Sequence, residues 1–396
     1  MIKKGKVNLG LKHILVAAVP FLFIFAGLAA TPKFASVNYQ APELPPEVAE
    51  NNLAELPLLP EKPKIIITHI QTPEAVKGVY MTSYAAGTAS FRERIFGLLK
   101  ETELNSIIID ITDYSGRISF RVQDPLLVKF GASENRIPDI VEFIATLHEM
   151  NVYVIGRITV FQNPYIAKAN PKWAVKKKTD QNQIWKDKKG LNFIDPGAQE
   201  YWDYIVALSR ESYGLGFDEF NYDYIRFPSD GDMKDIYYPW SHDRIKADVL
   251  EEFFAYLSEQ LRPEGIITSA DLFGMTMTNV DDLNIGQILE RTAPHFDFIA
   301  PMVYPSHWPK GWNGFSSPAT MPYEVVKISL EKGAERLRAM GEDPLKLRPW
   351  IQDFNLGATY TAAMVRKQIE ATYDAGLTSW MLWDPKNIYT KAALEN

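Results

Sequence analysis

Gly216-Phe-Asp-Glu-Phe-Asn-Tyr-Asp-Tyr-Ile-Arg-Phe-Pro228 is apolar and aromatic enough to be a buried strand, yet it carries Asp218, Glu219, Asp223 and Arg226. Burying an unpaired carboxylate costs several kcal/mol. Such acids persist where they meet a partner or do chemistry. The run ends at Pro228 and opens into Ser229-Asp-Gly-Asp232, a turn cluster. The acids therefore fall near the C-terminal end of the strand, where α/β barrels carry their active sites. Counting in steps of two puts Glu219, Asn221 and Asp223 on one face and Asp218, Phe220, Tyr222 and Tyr224 on the other. The polar face is expected to look into a barrel mouth, with Asp223 nearest to it.

Outward from this run the chain alternates between strand-like and helix-like segments. Candidate strands cover 76–84, 106–113, 152–161, 216–227, 266–273, 296–304, 347–354 and 378–383. They are continuous apolar runs, as parallel strands covered on both faces should be. Helical candidates cover 91–102, 137–150, 199–213, 244–261, 285–293, 323–339, 362–375 and a short 388–394. Ser90 and Thr361 are expected N-caps. Eight alternating pairs predict a (β/α)8 TIM barrel over 65–396. No GxGxxG or GxxxxGK[ST] follows any strand, which argues against a nucleotide-binding doubly wound sheet. Long loops at 114–136, 162–196, 228–243 and 305–322 fall on the C-terminal face. They carry many aromatics and are expected to build a cleft.

The chain has 396 residues, no cysteine and a net charge of −7. The acidic balance argues against nucleic acid as a partner. The absence of Cys excludes disulfides, thiolate metal sites and a Cys nucleophile. Lys3, Lys4, Lys6 and Lys12 precede an uncharged run over 14–30, so residues 1–30 read as a signal peptide or membrane anchor. Residues 31–64 are Pro-rich and read as a semi-extended linker. The folded part is thus expected outside the cytoplasmic membrane. The membrane is a partner if the first segment is retained.

Acids recur at strand ends: Asp110 and Asp113, the 216–228 run, Asp271, Asp353 and Asp384. Any one of them could cap a helix or close an ion pair. Convergent carboxylates in an aromatic cleft fit glycosidic bond hydrolysis, which needs one protonated acid and one carboxylate. Their pKa values must be pushed apart. Asp223 is the candidate nucleophile or principal base, Asp271 the candidate general acid and Asp353 a third carboxylate. Arg157 and Arg226 are candidates to neutralise Asp223. Asp110, Asp113, Glu219, Asn221, Tyr304, Gln352 and Asp384 are candidate substrate contacts. Trp308, Trp312, Trp173 and Trp383 are candidate sugar platforms, against the alternative of packing the barrel top.

The six His are scattered, with no HxH or HExxH, and neither Asp230-Gly-Asp232 nor Asp281-Asp282 matches an EF-hand loop. No metal or cofactor is expected. No GxSxG elbow is present. The reading is a glycoside hydrolase acting on an extracytoplasmic or envelope polysaccharide. A non-catalytic glycan-binding barrel and an envelope scaffold are the alternatives; turnover separates the first two, and an exposed apolar barrel side would mark the third.

Three segments carry a resemblance: Val76-Lys-Gly-Val-Tyr-Met-Thr-Ser-Tyr84, Asn105-Ser-Ile-Ile-Ile-Asp-Ile-Thr-Asp113 and the 216–228 run. Together they resemble a bacterial "putative glycosyl hydrolase domain" family of barrel fold, over roughly residues 74–390. The resemblance implies a reaction class and no particular substrate. A looser likeness to the α-amylase clan implies carboxylates after strands four, five and seven, filled here by Asp223, Asp271 and Asp353. Two positions depart from that clan. Asp271 stands where it has Glu, and Asn221 where it has Arg.

Overall fold

The computed structural model describes residues 65–394. The expected signal or anchor run and the linker lie outside them. Among the described residues no helix is long and apolar enough to cross a membrane.

Eight strands close into one parallel barrel. They are β1 (Lys77–Met81), β2 (Ser106–Thr112), β3 (Tyr153–Thr159), β4 (Glu219–Asp223), β5 (Ile267–Phe273), β6 (Phe298–Met302), β7 (Trp350–Gln352) and β8 (Trp380–Trp383). Each of the eight falls inside its expected segment. β-Branched residues dominate β2, and all seven of its residues are buried, as a strand covered on both faces requires. Six longer helices cover the outside: α1 (Ala89–Glu101), α2 (Ile140–Glu149), α3 (Gln199–Tyr213), α4 (Lys246–Leu261), α5 (Pro322–Ala339) and α6 (Ala362–Asp374). After β5 the helix shrinks to Leu289–Thr292, and after β8 to a 3-10 turn at Lys391–Ala393. Thr361 caps α6 by accepting from the Met364 N–H at 3.4 Å. Ser90 does not cap α1. That helix begins two residues earlier than expected, after Thr88, so Ser90 lies within its first turn.

Alternation sorts the side chains as expected. Phe220 and Tyr222 of β4 join the large core between strands and helices. Ile108, Tyr153, Ile155, Ala300, Trp350 and Met381 fill the barrel interior. The inward face of β4 runs from floor to mouth. Glu219 starts it, about 13 Å below Asp223 at the usual rise per strand residue. There Glu219 accepts from Arg348 Nη1 at 2.7 Å and from the Tyr153 hydroxyl at 3.1 Å. Both members of this ion pair are almost fully buried. Removing one partner of such a pair strands the other charge. Glu219→Ala is therefore expected to cost about 3–5 kcal/mol of unfolding free energy, read by denaturant titration. An unchanged midpoint would show that Arg348 finds another partner.

The loops over the mouth are tied together. Lys176–Lys177, after β3, pairs antiparallel with Ile236–Tyr237, after β4. Gly274 at the end of β5 lets two backbones meet: a Cβ there would stand 2.4 Å from the Met302 carbonyl oxygen. Both residues line a cavity at the barrel mouth.

Candidate active site

One guanidinium gathers the acids at the barrel mouth. Arg157, inward on β3, donates from Nη1 to Asp110 Oδ1 of β2 at 2.7 Å. Its Nη2 donates to Asp223 Oδ2 of β4. Its Nε stands 3.9 Å from Asp271 Oδ2 of β5. The register explains the gathering: Asp110 pairs with Arg157 across β2 and β3, and Arg157 with Asn221 across β3 and β4. The second Asp110 oxygen accepts from the Tyr80 hydroxyl at 2.5 Å. Tyr80 stacks on Trp383 with centroids 3.9 Å apart, and the Arg157 guanidinium lies 5.1 Å from the Trp383 ring.

Three carboxylates around one cation cannot all ionise cheaply. Burial and the charge of Asp223 push Asp271 well above the ordinary carboxylate range, against the pull of Arg157. Burial pushes Asp110 up to about 6, again opposed by Arg157. Asp271 Oδ1 already accepts from Asn221 Nδ2 at 2.8 Å and from Trp350 Nε1 at 2.7 Å. Two donors on one oxygen leave Oδ2 to carry the proton.

The shift of Asp110 is also a statement about stability. Its folded pKa, about 6, lies above the ordinary value of 3.8. The folded state thus holds this proton more tightly than the unfolded chain. Its stabilising effect is complete below about pH 4 and is lost as pH rises to about 6. Asp110→Asn is expected to remove that pH dependence, on the order of 3 kcal/mol between those limits. Denaturant titrations of both proteins at pH 4 and 6.5 check it; parallel pH profiles would sink it.

Asp223 lies on the wall shared by two adjoining cavities, each of about 270 Å³. Tyr224, Met302, Tyr304 and His307 line both. One cavity adds Arg226, Phe273 and Trp308; the other adds Arg157, Asp271 and Trp383. Burial and the charges of Asp271 and Asp223 raise Tyr304 well above the usual phenol range, so its hydroxyl remains a donor. Tyr224 has φ 53°, a left-handed conformation that is strained for an aromatic residue. Its N–H donates to Asp223 Oδ1 at 2.6 Å, which fixes the carboxylate at the strand end.

Of the residues singled out from the sequence, Asp223, Asp271, Asp110, Arg157, Asn221, Arg226, Tyr304, Trp308 and Trp383 come together here. Arg226 does so without bonding Asp223; Arg157 takes that role. The others go elsewhere. Glu219 lies on the barrel floor. Asp113 follows an irregularity in the β2 register and accepts from Arg136 at 2.8 Å, holding the next loop. Asp353 accepts from the Thr390 N–H and hydroxyl at 2.8 and 2.7 Å, and burial raises it to about 6. Asp384 accepts from the Ile388 N–H at 2.9 Å within its own turn. Gln352 clamps two loops, accepting from Ser306 N–H and donating to the Phe354 carbonyl. Trp173 packs in the core against Phe130 and Tyr201. Trp312 backs Trp308, centroids 4.3 Å apart.

Tyr80, Tyr224 and His307 are site residues that the sequence reading did not single out. Tyr80 was visible in principle, because period-2 counting along β1 turns it inward. Tyr224 and His307 carried no local signal. No group of His, Asp and Glu able to hold a metal ion occurs among the described residues.

Comparison with known proteins bears on the fold and the family. The glycoside hydrolase domain of PgaB (BpsB) from Bordetella bronchiseptica is 13% identical, with a TM-score of 0.57 over 81% of this chain and 99% of that one. At that identity the likeness shows the fold. A hypothetical protein from Ruminiclostridium thermocellum is 30% identical, covering 49% of this chain and 96% of that one, with a TM-score of 0.45. The spore cortex-lytic enzyme SleL of Bacillus megaterium is 10% identical, covering 82% and 74%, with a TM-score of 0.47. No curated protein matches. The family model described as "putative glycosyl hydrolase domain" matches residues 78–389, nearly the whole barrel, and the chain belongs to that family.

Proposed function

We propose that this barrel hydrolyses glycosidic bonds of an extracytoplasmic or cell-envelope polysaccharide, with Asp223 as the carboxylate facing the anomeric carbon and Asp271 as the proton donor. The observation that carries the assignment is the division of labour around Arg157. One acid is hydrogen-bonded to the guanidinium, while burial and its neighbour's charge keep the other protonated. That is the pairing glycoside hydrolysis needs.

A sugar chain lies across Asp223, with a ring in each adjoining cavity. Asp271 Oδ2 gives its proton to the bridging oxygen as the C–O bond breaks. Asp223 stabilises the positive charge that develops at the anomeric carbon, and a water then bonds that carbon and gives a proton back to the carboxylate pair, which restores the starting charge. Trp383 and Trp308 offer flat faces to the sugar rings, and Tyr304 offers a hydroxyl donor. Location outside the cytoplasm rests on the basic start and apolar run of residues 1–30.

The test is turnover. The full chain is incubated with a panel of bacterial envelope and extracellular polysaccharides, and new reducing ends are counted. Release that disappears in both Asp223→Asn and Asp271→Asn supports the reading. Binding without release of ends across the panel would leave a glycan-binding barrel. Proton NMR of the first-formed anomer then reports retention or inversion.

A further inference from the structure

Arg226 follows Asp223 by three residues, just past the end of β4. It is only 8% exposed and lines the cavity that also holds Trp308. Three rings surround its guanidinium: Tyr224 and Phe273 at 4.9 Å and Phe193 at 6.0 Å. Among the described residues its one hydrogen bond runs from Nη1 to the Phe227 carbonyl, at 3.0 Å. No carboxylate of the described residues reaches it at ion-pair distance. Asp223, Asp230 and Asp187 act on it only from further away. The other arginines of the barrel interior differ. Arg157 bonds two carboxylates, and Arg348 bonds Glu219.

A buried guanidinium is costly unless something compensates it. Aromatic faces compensate only part of that cost. The planar fork still has donors free toward the cavity, in the geometry that suits a carboxylate or a phosphate. The chain as a whole carries −7, which works against a polyanion. A cation set inside the cavity is what would select one.

We propose that Arg226 receives an oxyanion substituent on the sugar bound beside Asp223, so that the substrate is an acidic polysaccharide. The sugar part of this inference rests on the glycoside hydrolase reading; the anion part rests on the guanidinium. The substituent is a ring carboxylate, as in a uronic acid, or a sulfate or phosphate ester.

Monosaccharides test it without cleavage. D-glucuronate, glucose 6-sulfate, glucose 6-phosphate and glucose are titrated into the full chain, followed by Trp fluorescence and calorimetry. At least one of the three anions is expected to bind about tenfold or more tightly than glucose. The preferred anion identifies the substituent. Arg226→Met should erase the preference, and Arg226→Lys should leave an intermediate one. If Arg226→Met fails to fold, the wild-type ranking and the Lys variant decide. Equal affinity for glucose and all three anions overturns the proposal, as does a preference that survives in folded Arg226→Met. The two readings fail separately. Anion preference without turnover on any polysaccharide sinks hydrolysis and keeps this inference. Turnover of a neutral polysaccharide with no anion preference does the reverse.

Discussion

Asp223→Asn is expected to lower turnover of a cleavable polysaccharide by about 10²-fold or more, about 3 kcal/mol of transition-state stabilisation. The substitution removes a negative charge where positive charge develops and changes the volume very little. Folding should survive, because Arg157 keeps its bond to Asp110 at 2.7 Å. The amide can still accept the Tyr224 N–H that now meets Asp223 Oδ1. Steady-state kinetics beside a thermal melt decide between two roles. A melt near wild type with turnover collapsed assigns Asp223 to the chemistry. Wild-type turnover would remove it from the mechanism. A collapsed melt would make the Arg157 ion pair structural.

Asp271→Asn is expected to cost about 10²–10⁴-fold on a substrate whose leaving group is a sugar. The loss should shrink on an aryl glycoside whose phenolate leaves without a proton. The amide oxygen can keep the donors from Asn221 and Trp350, so the site's shape is preserved while its proton is lost. The pH profile gives the sharper reading. Asp271 acts in its protonated form, and burial with the charge of Asp223 raises its pKa. Wild-type kcat should therefore fall as pH rises through that raised pKa. In Asp271→Asn the alkaline limb should vanish. A variant that keeps both the limb and the rate would show that another group donates the proton.

Four elements of the site traced to the sequence for a simple reason. Strand residues alternate, so Asn221 and Asp223 had to share a face, and Phe220 and Tyr222 had to turn toward the helices. Asp271 was reached as an acid near the end of its strand, and Arg157 as a cation to balance Asp223. The period count failed where alternation says nothing, about depth in the barrel and about the turn after a strand. Glu219 shares the face of Asp223 but lies on the floor, with Arg348. Asp113 lies beyond an irregularity in the β2 register, which breaks the count. Asp353 stands one residue past Gln352, so its parity turns it out toward Thr390. Asp384 is taken up by the turn that it opens. The sequence pattern alone cannot tell these acids from Asp223.

The sequence by itself determined the eight-fold alternation, the strand segments and the facing of β4. All three are local consequences of side-chain period and length. Which acids meet was decided only by the tertiary structure. Asp110 and Arg157 are 47 residues apart, Arg157 and Asp223 are 66, and Asn221 and Asp271 are 50. Their meeting depends on the stagger between neighbouring strands in the closed barrel, which no single strand encodes. The raised pKa of Asp271 is decided at the same level, because it arises from burial and from a charge on another strand. Arg226 shows the same limit. Its charge was plain in the sequence, but only the closed barrel showed that Arg157, not Arg226, bonds Asp223.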